Sequence, residues 1–532
     1  RLDHRFALFP PHGRHGHPRR PLASDGSRGA HHRSGAAARD RGPGRHPGGG
    51  QGRGLRDPLG RSLLGAHARP RDLGGGRTAL RPRRFGGPPR RGGRPGGPDA
   101  RRRQGAPAPH GRRSLGRPAM KTRTASLLLA SLALLCAGAA ASDVAIRAGQ
   151  LMTGTGETIE DGVVVIENGR ISAVGPASSV RIPRGMEVLE AAWATPGLVD
   201  GRSVVGLAGA LNQPHDQDQL EHSAPIQPEL RAIDAYNPRE TLVQWLREHG
   251  VTTVHTGHGP GEVISGQTLI AKTRGDTVAE AVFVPFATVA ATLGDSAIVD
   301  GRERKSPGTR AKAVSMLRAK LQAAREHLDA IEAAAEDEEK NPPKRDLSLE
   351  PLVAVLRGEV PLMVEADRHM DIMTTLRLRE EFGFELLLSG AADAPLVLEE
   401  IVAAEVPVIV HPLMVRGTVH GEHENVSFTT AAKLLEAGVP VSLQSGFEGY
   451  VPKTRVVLFE AGFGLGYGLT PDQALELVTL GPARLLGIDD RVGSLEVGKD
   501  GDVALFDGDP FEYTTHVMGT VIEGERVSDA VR

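Results

Sequence analysis

The chain has 532 residues, and its near-neutral formal charge of −1 is the sum of two unlike parts. Residues 1–119 contain 28 Arg and 6 Asp, whereas residues 142–532 carry 34 basic and 59 acidic side chains, a net charge of −25 with histidine neutral. An acidic surface disfavours binding to nucleic acid or to anionic membranes. The acidic part also contains no cysteine, which excludes disulfides and thiolate metal sites within it.

The first 119 residues have the composition of a segment that does not fold. They lack Lys, Glu, Val, Ile, Asn, Tyr, Trp and Cys, so they cannot bury enough apolar surface to offset the entropy of ordering. One interpretation is a basic arm for nucleic acid, because arginine attracts phosphate. The loss of so many residue types favours another, in which upstream DNA is translated ahead of a start at Met120. We expect a non-native or disordered extension.

Residues 120–141 have the order of a secretory signal peptide. Lys121 and Arg123 precede an apolar run at 127–135, and three alanines at 139–141 supply a small-residue cleavage pattern. The apolar run is too short to span a membrane. We therefore expect cleavage near Ala141, a periplasmic or secreted protein, and no membrane span.

Both ends of residues 142–532 have the pattern of short strands separated by turns. The Asn168-Gly169 pair between two apolar runs is typical of a tight hairpin. Apolar runs and turn residues predict strands at 144–146, 163–167, 170–174, 187–190, 503–506 and 517–522. We expect residues 142–195 and 488–532 to form one small β-sandwich domain.

Between these ends, apolar runs alternate with amphipathic segments. The apolar runs predict strands at 197–199, 251–254, 361–364, 384–388, 406–410 and 440–443. The amphipathic segments predict helices at 240–248, 309–338, 372–381, 396–404 and 429–437. Apolar strands joined by helical crossovers indicate a parallel sheet, and this many units favours a (β/α)8 barrel at 196–487.

Several blocks of the chain resemble the imidazolonepropionase-like branch of the amidohydrolase superfamily. They are Thr-Pro-Gly-Leu-Val-Asp at 195–200, Pro-Glu-Leu-Arg-Ala-Ile-Asp at 228–234, Gly-Val-Thr-Thr-Val at 250–254, Leu-Gly-Pro-Ala-Arg-Leu-Leu-Gly at 480–487 and Arg-Val-Gly-Ser-Leu-Glu-Val-Gly-Lys-Asp at 491–500. The resemblance covers nearly all of residues 143–530. It implies a TIM-type barrel capped by a small β-sandwich from both chain ends. It also implies a hydrolase that acts on non-peptide carbon–nitrogen bonds in cyclic, amide-like small molecules.

The resemblance further implies one or two divalent metal ions, with zinc expected, that lower the pKa of a bound water. The family's ligands are His-x-His on strand one, sometimes a carboxylated lysine, two further histidines, and an aspartate on strand eight that acts as base. In this chain those positions fall on Arg202 and Val204, Glu365, Gly390 and Gly446. A guanidinium has no lone pair to donate, and valine has no donor atom.

No intact ligand set therefore remains. Lys272 is retained in the family's Ile-x-Lys stretch, and an alignment shifted by two residues at strand eight would offer Glu448 as a base. We expect Glu365, Asp367, Lys272 and Arg202 to be pocket residues near the barrel mouth. Our hypothesis is that Arg202 pairs with Glu365 where the metal ions would lie.

Histidines outside these positions offer weaker metal candidates. His255 and His258 follow a predicted strand at the end where barrel sites lie. We interpret these two, and His215, His222, His411, His420 and His423, as surface or hydrogen-bonded residues. Residues 257–261 are rich in glycine but lack the Lys and Ser/Thr of a phosphate-binding loop, so a simple turn is expected there.

Two functions stay open from the sequence. The first is a divergent amidohydrolase-family hydrolase acting on a small-molecule substrate through an altered site. The second is a catalytically inactive amidohydrolase-like binding or partner subunit, as an oligomer or assembled with a related amidohydrolase. Site chemistry favours loss of the usual metal mechanism, and the resemblance favours hydrolysis.

Overall fold

The computed structural model describes residues 143–211, 213–299, 306–337, 339–414, 424–446 and 457–532. The predicted extension at 1–119, the signal peptide at 120–141, His420, His423 and Glu448 lie outside the described residues. In the described part, no helix has the length and apolar character needed to cross a membrane.

The described residues contain two sheets, one built from both chain ends and one forming the barrel. The strands, in chain order, are β1 (Val144–Met152), β2 (Thr158–Glu167), β3 (Arg170–Pro176), β4 (Glu187–Pro196), β5 (Leu198–Ser203), β6 (Val251–Gly257), β7 (Ile264–Lys272), β8 (Val282–Val284), β9 (Val289–Thr292), β10 (Leu362–Ala366), β11 (Leu386–Gly390), β12 (Val408–Val410), β13 (Val441–Ser442), β14 (Val503–Phe506), β15 (Val517–Ile522) and β16 (Glu525–Ser528).

The helices lie mostly between barrel strands. In chain order they are α1 (Thr241–Glu248), α2 (Val278–Ala281), α3 (Arg310–Glu336), α4 (Glu350–Leu356), α5 (His369–Phe382), α6 (Leu398–Ala403), α7 (Thr430–Glu436), α8 (Val457–Leu465), α9 (Pro471–Glu476) and α10 (Leu480–Leu485). The long helix α3 begins at the predicted place, where the Thr309 side chain accepts a hydrogen bond from the Lys312 amide. Its buried residues repeat at helical spacing, which is why one face packs and the charged face stays solvated.

The two chain ends form one seven-stranded sheet in the order β16-β15-β14-β4-β1-β2-β3. The predicted hairpin between β2 and β3 is confirmed, since Asn168 and Gly169 have φ angles of 53° and 78°, as a type I′ turn requires. Strand β14, near the end of the chain, pairs antiparallel with β4, and this pairing joins the strands of both chain ends in one sheet. The two-layer β-sandwich form of this domain and its boundaries stay predictions.

The second sheet runs β13-β12-β11-β10-β9-β7-β6-β5, and β8 pairs with β7. The Gly446 amide donates to the Arg202 carbonyl oxygen at 3.1 Å, so the two ends of the path nearly close into a barrel. The predicted TIM-type barrel is thereby confirmed, with one correction to its all-parallel sheet. Strand β7 runs antiparallel to both neighbours. The connection from β6 to β7 has only six residues, too few for the crossover that parallel strands need.

The barrel interior is layered. One apolar layer is formed by fully buried side chains on adjacent strands, Ala290, Met363, Leu387 and Ile409. Because side chains alternate between the two faces of a strand, the residues two positions further along point into the same interior. That next layer lies nearer the carboxyl ends of the strands, and it contains Thr292, Glu365 and Ser389. The polar side chains of this layer define the candidate site.

Candidate functional site

An ion pair crosses the barrel in the polar layer. The Nη1 of Arg202, on β5, donates to Glu365 Oε2, on β10, at 2.6 Å. The same Nη1 lies 3.0 Å from Ser389 Oγ, and the Ser389 hydroxyl donates to Glu365 Oε2 at 2.6 Å. The Arg202 side chain is 5% exposed and that of Glu365 18%, so the contact is shielded from bulk water. The hypothesised contact between Arg202 and Glu365 is present in the structure.

Arg202 is a buried cation whose loss of hydration is partly compensated by nearby negative charges. Burial lowers the pKa of its guanidinium, and the negative charges of Glu365 and Asp367 oppose that shift. The guanidinium still carries its charge at neutral pH, because arginine is not deprotonated in proteins. A fixed positive charge therefore lies on β5, at the first position of the family's His-x-His ligands. The Nη2 group of this charge is buried and makes no hydrogen bond within the described residues.

The residues at the family's ligand positions do not fit a divalent metal ion. Arg202 has no lone pair, and Val204, which is buried, has no donor atom. Glu365 is a possible ligand type, but its Oε2 already accepts from Arg202 and Ser389. Within the parts of the chain that the structure describes, no group of three or more His, Cys, Asp or Glu side chains could hold a metal ion.

Gly390 lies where a further histidine ligand is expected, and a side chain there would come close to two carboxylates. Its φ is +83°, and a Cβ there would lie 2.7 Å from Asp367 Oδ1 and 3.2 Å from Glu365 Oε1. The side chain of β11 that enters the barrel is that of the preceding residue, Ser389. Sequence reasoning missed Ser389, although period-two alternation from the buried Leu387 pointed to it.

Asp200 is a second group that sequence reasoning did not assign to the site. It is fully buried and accepts hydrogen bonds from the Ser445 amide at 3.0 Å, the Arg202 amide at 3.2 Å and the Ser445 hydroxyl. Burial raises the pKa of Asp200 to about 7, although these hydrogen bonds oppose the shift. Asp200 also fixes the backbone beside Gly446, the position of the family's strand-eight aspartate.

His255 and His258, the weaker metal candidates, are core residues. His255 Nδ1 lies 2.8 Å from the Gly201 carbonyl oxygen and Nε2 lies 2.7 Å from Thr268 Oγ1, so both ring nitrogens are engaged. Burial lowers the pKa of His255 to about 4. Burial likewise lowers the pKa of His258 to about 4, and this ring packs against Gly266. Both imidazoles are therefore neutral at physiological pH.

Lys272 lies away from the other predicted pocket residues. Its Nζ is 2.6 Å from Asp502 Oδ2 and 3.0 Å from Asp500 Oδ2, and all three side chains are buried. Because β7 runs antiparallel, its last residue pairs with Thr253, near the start of β6. This corrects the expectation that Lys272 lies at the barrel mouth. Its role in the structure is an ion pair with the returning chain end.

Asp367 lies beside the ion pair, close enough to Arg202 and Glu365 to influence the charge of the guanidinium. Its side chain is largely buried, and Oδ1 accepts a hydrogen bond from the Ala392 amide at 3.2 Å. Two other histidines fit the interpretation of hydrogen-bonded residues. His222 Nδ1 lies 2.9 Å from Glu262 Oε1, and His411 Nδ1 lies 2.9 Å from the Pro412 carbonyl oxygen.

Comparisons with known proteins agree with this architecture. The sequence profile of the amidohydrolase family matches residues 391–528. The amidohydrolase TasK of Hapsidospora irregularis is 26% identical over 396 residues, which are 68% of this chain and 39% of that protein. The chain thus spans well under half the length of that relative. The imidazolonepropionase of Stenotrophomonas maltophilia is 26% identical over 377 residues, which are 66% of this chain and 87% of that protein.

A solved structure shows the same fold. The crystal structure of an amidohydrolase from Thermotoga maritima superposes with a TM-score of 0.69 and 27% identity, and the match covers 73% of this chain and all of that one. The sequence profile, the relatives and this structure thus point the same way as the barrel and the two joined chain ends. The chain belongs to the amidohydrolase superfamily.

Proposed function

We propose that this protein hydrolyses a non-peptide carbon–nitrogen bond in a cyclic, amide-like small molecule, without a divalent metal ion at the strand-one position. The observation that carries the proposal is the buried layer of Arg202, Glu365 and Ser389 at the carboxyl ends of the barrel strands. Barrel enzymes place their chemistry at that end. The imidazolonepropionase among the relatives supports the substrate class.

The residues of the site offer two of the functions that such a reaction needs. The positive charge of the buried Arg202 guanidinium supports stabilisation of the negative charge that develops on a carbonyl oxygen at this end of the barrel. The Asp367 carboxylate, held by the Ala392 amide, supports orientation of a substrate N–H group. Because the residues at the ligand positions do not fit a metal ion, no step of the proposal uses one.

A second candidate is a catalytically inactive binding or partner subunit. The observation that favours it is the engagement of Glu365 Oε2 by both Arg202 and Ser389, which leaves that oxygen committed within the protein. If the protein is such a subunit, it would act as an oligomer or in an assembly in which a related amidohydrolase carries out the hydrolysis.

One experiment separates the two candidates. The purified full chain is assayed against a panel of hydantoins, lactams and imidazolones, with and without a chelator, and its bound metal is measured. Turnover that the chelator does not change supports the proposed hydrolase. Equimolar zinc together with chelator-sensitive turnover contradicts its metal-free form. A well-folded protein that turns over nothing in the panel supports the binding subunit.

We also propose export to the periplasm or the medium, on the basis of residues 120–141 alone. The expected result is a protein in the exported fraction whose first residue is Ser142, measured by N-terminal sequencing. A peptide from residues 1–119 in the native protein would contradict the interpretation of that segment as lying upstream of the true start at Met120.

A further inference from the structure

A histidine–aspartate pair lies outside the ion-pair site. His369 Nδ1 is 3.1 Å from Asp393 Oδ2, and the His369 backbone amide donates to the same oxygen at 2.9 Å. The other carboxylate oxygen, Oδ1, accepts from Asn425 Nδ2 at 2.7 Å. The Asp393 side chain is 7% exposed and that of His369 is 51% exposed. A buried, fully anchored carboxylate thus holds an imidazole that reaches solvent.

The three residues come from neighbouring loops at one end of the barrel. His369 is the first residue of α5, just after β10, while Asp393 follows β11 and Asn425 follows β12. These strands are parallel neighbours, so their carboxyl ends lie together at the barrel mouth. The Asp393 amide also donates to the Asp367 carbonyl oxygen at 2.8 Å. The pair is therefore joined by hydrogen bonds to the candidate site.

The hydrogen bonds indicate the charge of Asp393 and the tautomer of His369. Burial raises the pKa of Asp393, but the hydrogen bonds from His369 and Asn425 outweigh it and hold that pKa below its usual value. A charged Asp393 accepts the Nδ1–H of His369, which leaves Nε2 as the ring's lone-pair atom. Nε2 has no hydrogen-bond partner among the described residues. This is the arrangement that orients a histidine base in hydrolases.

Other charges near His369 are paired with one another. The neighbouring Arg368 lies 2.9 Å from Asp295, and Arg310 lies 3.1 Å from Asp371. Arg310 also contacts Asp295. The carboxylate in contact with the imidazole itself is Asp393.

A second histidine–aspartate pair in the chain has a similar local geometry but does not lie at the barrel mouth. His516 Nδ1 lies 2.9 Å from Asp507 Oδ2, and the His516 amide donates to Asp507 Oδ1 at 2.7 Å. Its imidazole is 53% exposed, close to the value for His369. This pair lies between β14 and β15 of the end sheet, so it serves as a matched control.

We propose that His369 is the general base of the hydrolysis and that Asp393 is its positioning residue, an inference that rests on the proposed function. His369 Nε2 accepts a proton from water as the water oxygen bonds to the carbonyl carbon. The carbon–nitrogen bond then breaks, its electron pair goes to nitrogen, and nitrogen takes the proton from Nε2. The ring opens to a carboxylic acid and an amine or amide, and His369 returns to its neutral form.

The test compares His369→Gln, Asp393→Asn and the control His516→Gln in the full chain, with a substrate from the panel. We expect His369→Gln to lower kcat about 100-fold or more with little change in KM, since a general base contributes about 10²- to 10⁴-fold. Asp393→Asn should lower kcat less than His369→Gln, with little change in KM, because it keeps the base but removes the carboxylate that orients the His369 ring. The control should keep wild-type kcat. Circular dichroism and thermal unfolding establish that each variant is folded.

The outcomes separate this inference from the proposed function. Wild-type turnover that His369→Gln reduces no more than His516→Gln overturns the general-base role alone. No wild-type turnover across the panel contradicts the proposed function, and the general-base role falls with it. Nitrogen-15 NMR tests the positioning role without activity: the neutral His369 ring should carry its proton on Nδ1 in the wild type and lose that preference in Asp393→Asn. The same tautomer in both proteins would overturn that role.

Discussion

At the scale of single residues, the site is governed by a charge taken out of water. Arg202 is almost fully buried, and removing a guanidinium from water costs several kcal/mol unless a partner compensates. Glu365 supplies that compensation across the barrel, and Ser389 adds a hydrogen bond to each partner. The two charges are interdependent, because removal of either takes the direct ion-pair partner from the other in a site shielded from water.

A double-mutant cycle tests that interdependence. Arg202→Ala and Glu365→Ala should each lower the free energy of unfolding by roughly 3 kcal/mol. The double variant should lose less than the sum, with a coupling of at least about 1 kcal/mol. The matched control is the pair Arg318–Glu381, at 2.9 Å with both side chains more than 40% exposed, where the coupling should be near zero. Urea unfolding measures all of these values, and additive losses at Arg202 and Glu365 would refute the interdependence.

Asp200 predicts a dependence of stability on pH. Its pKa is about 7 in the folded state against 3.8 as reference, so the folded protein holds this proton more tightly than the unfolded chain. The stabilisation is therefore complete below about pH 4 and is lost as pH rises through 7. The difference in free energy of unfolding between wild type and Asp200→Asn should shrink over that range, as followed by urea unfolding at several pH values. A difference that stays constant with pH would show that Asp200 does not titrate as described.

At the scale of elements, β11 ends at a glycine with a left-handed backbone close to two carboxylates. Gly390→Ala should be destabilised by the left-handed backbone and by the close approach to Asp367 and Glu365. Gly438 has a similar φ of +80° with no atom within 4 Å of its ideal Cβ, so Gly438→Ala measures the backbone cost alone. We expect about 1 kcal/mol for Gly438→Ala and about 1–3 kcal/mol more for Gly390→Ala. Equal losses in thermal or urea unfolding would mean that the barrel accommodates a side chain there.

The sequence predicted those barrel strands that are continuous apolar runs. Strands β10 and β11 are of this kind, since buried parallel strands carry apolar side chains on both faces. Strand β7 was not predicted, because Ser265, Gln267 and Thr268 interrupt its apolar pattern although it is wholly buried. Gln267 and Thr268 form hydrogen bonds with protein groups distant in sequence, which come together only in the folded barrel. The antiparallel course of β7 also explains why Lys272 was expected at the wrong end.

The candidate site was predictable only in part, for a similar reason. The resemblance placed Arg202 and Glu365 at the ends of their strands, and opposite charge at facing strand ends indicated the pair. Ser389 required the register of β11 against β10. The contact of His369 with Asp393 required knowledge of which loops meet at the mouth. Contacts between residues distant in sequence depend on such packing, which local patterns do not encode.

At the scale of the whole molecule, a buried charge cluster joins the barrel to the end sheet. Lys272 lies within 3.0 Å of Asp500 and Asp502, and Asp500 also accepts from Arg491 at 2.8 Å. Lys272→Met would leave two buried carboxylates with one cation fewer. We expect a loss of about 3–5 kcal/mol in the free energy of unfolding. Lys340→Met, at an exposed lysine 3.7 Å from Asp337, should lose less than about 1 kcal/mol, and similar losses in the two variants would rule out a stabilising role for the cluster.

In the barrel as a whole, a protein charge pair occupies the place where the family resemblance implies metal ions. The most direct measurement is zinc retained by the full chain after incubation with zinc chloride and gel filtration, quantified by plasma mass spectrometry for wild type and Glu365→Gln. We expect the two proteins to retain the same amount of zinc, because Glu365 is committed to Arg202 and Ser389. Equimolar zinc in the wild type that is lost in Glu365→Gln would contradict it.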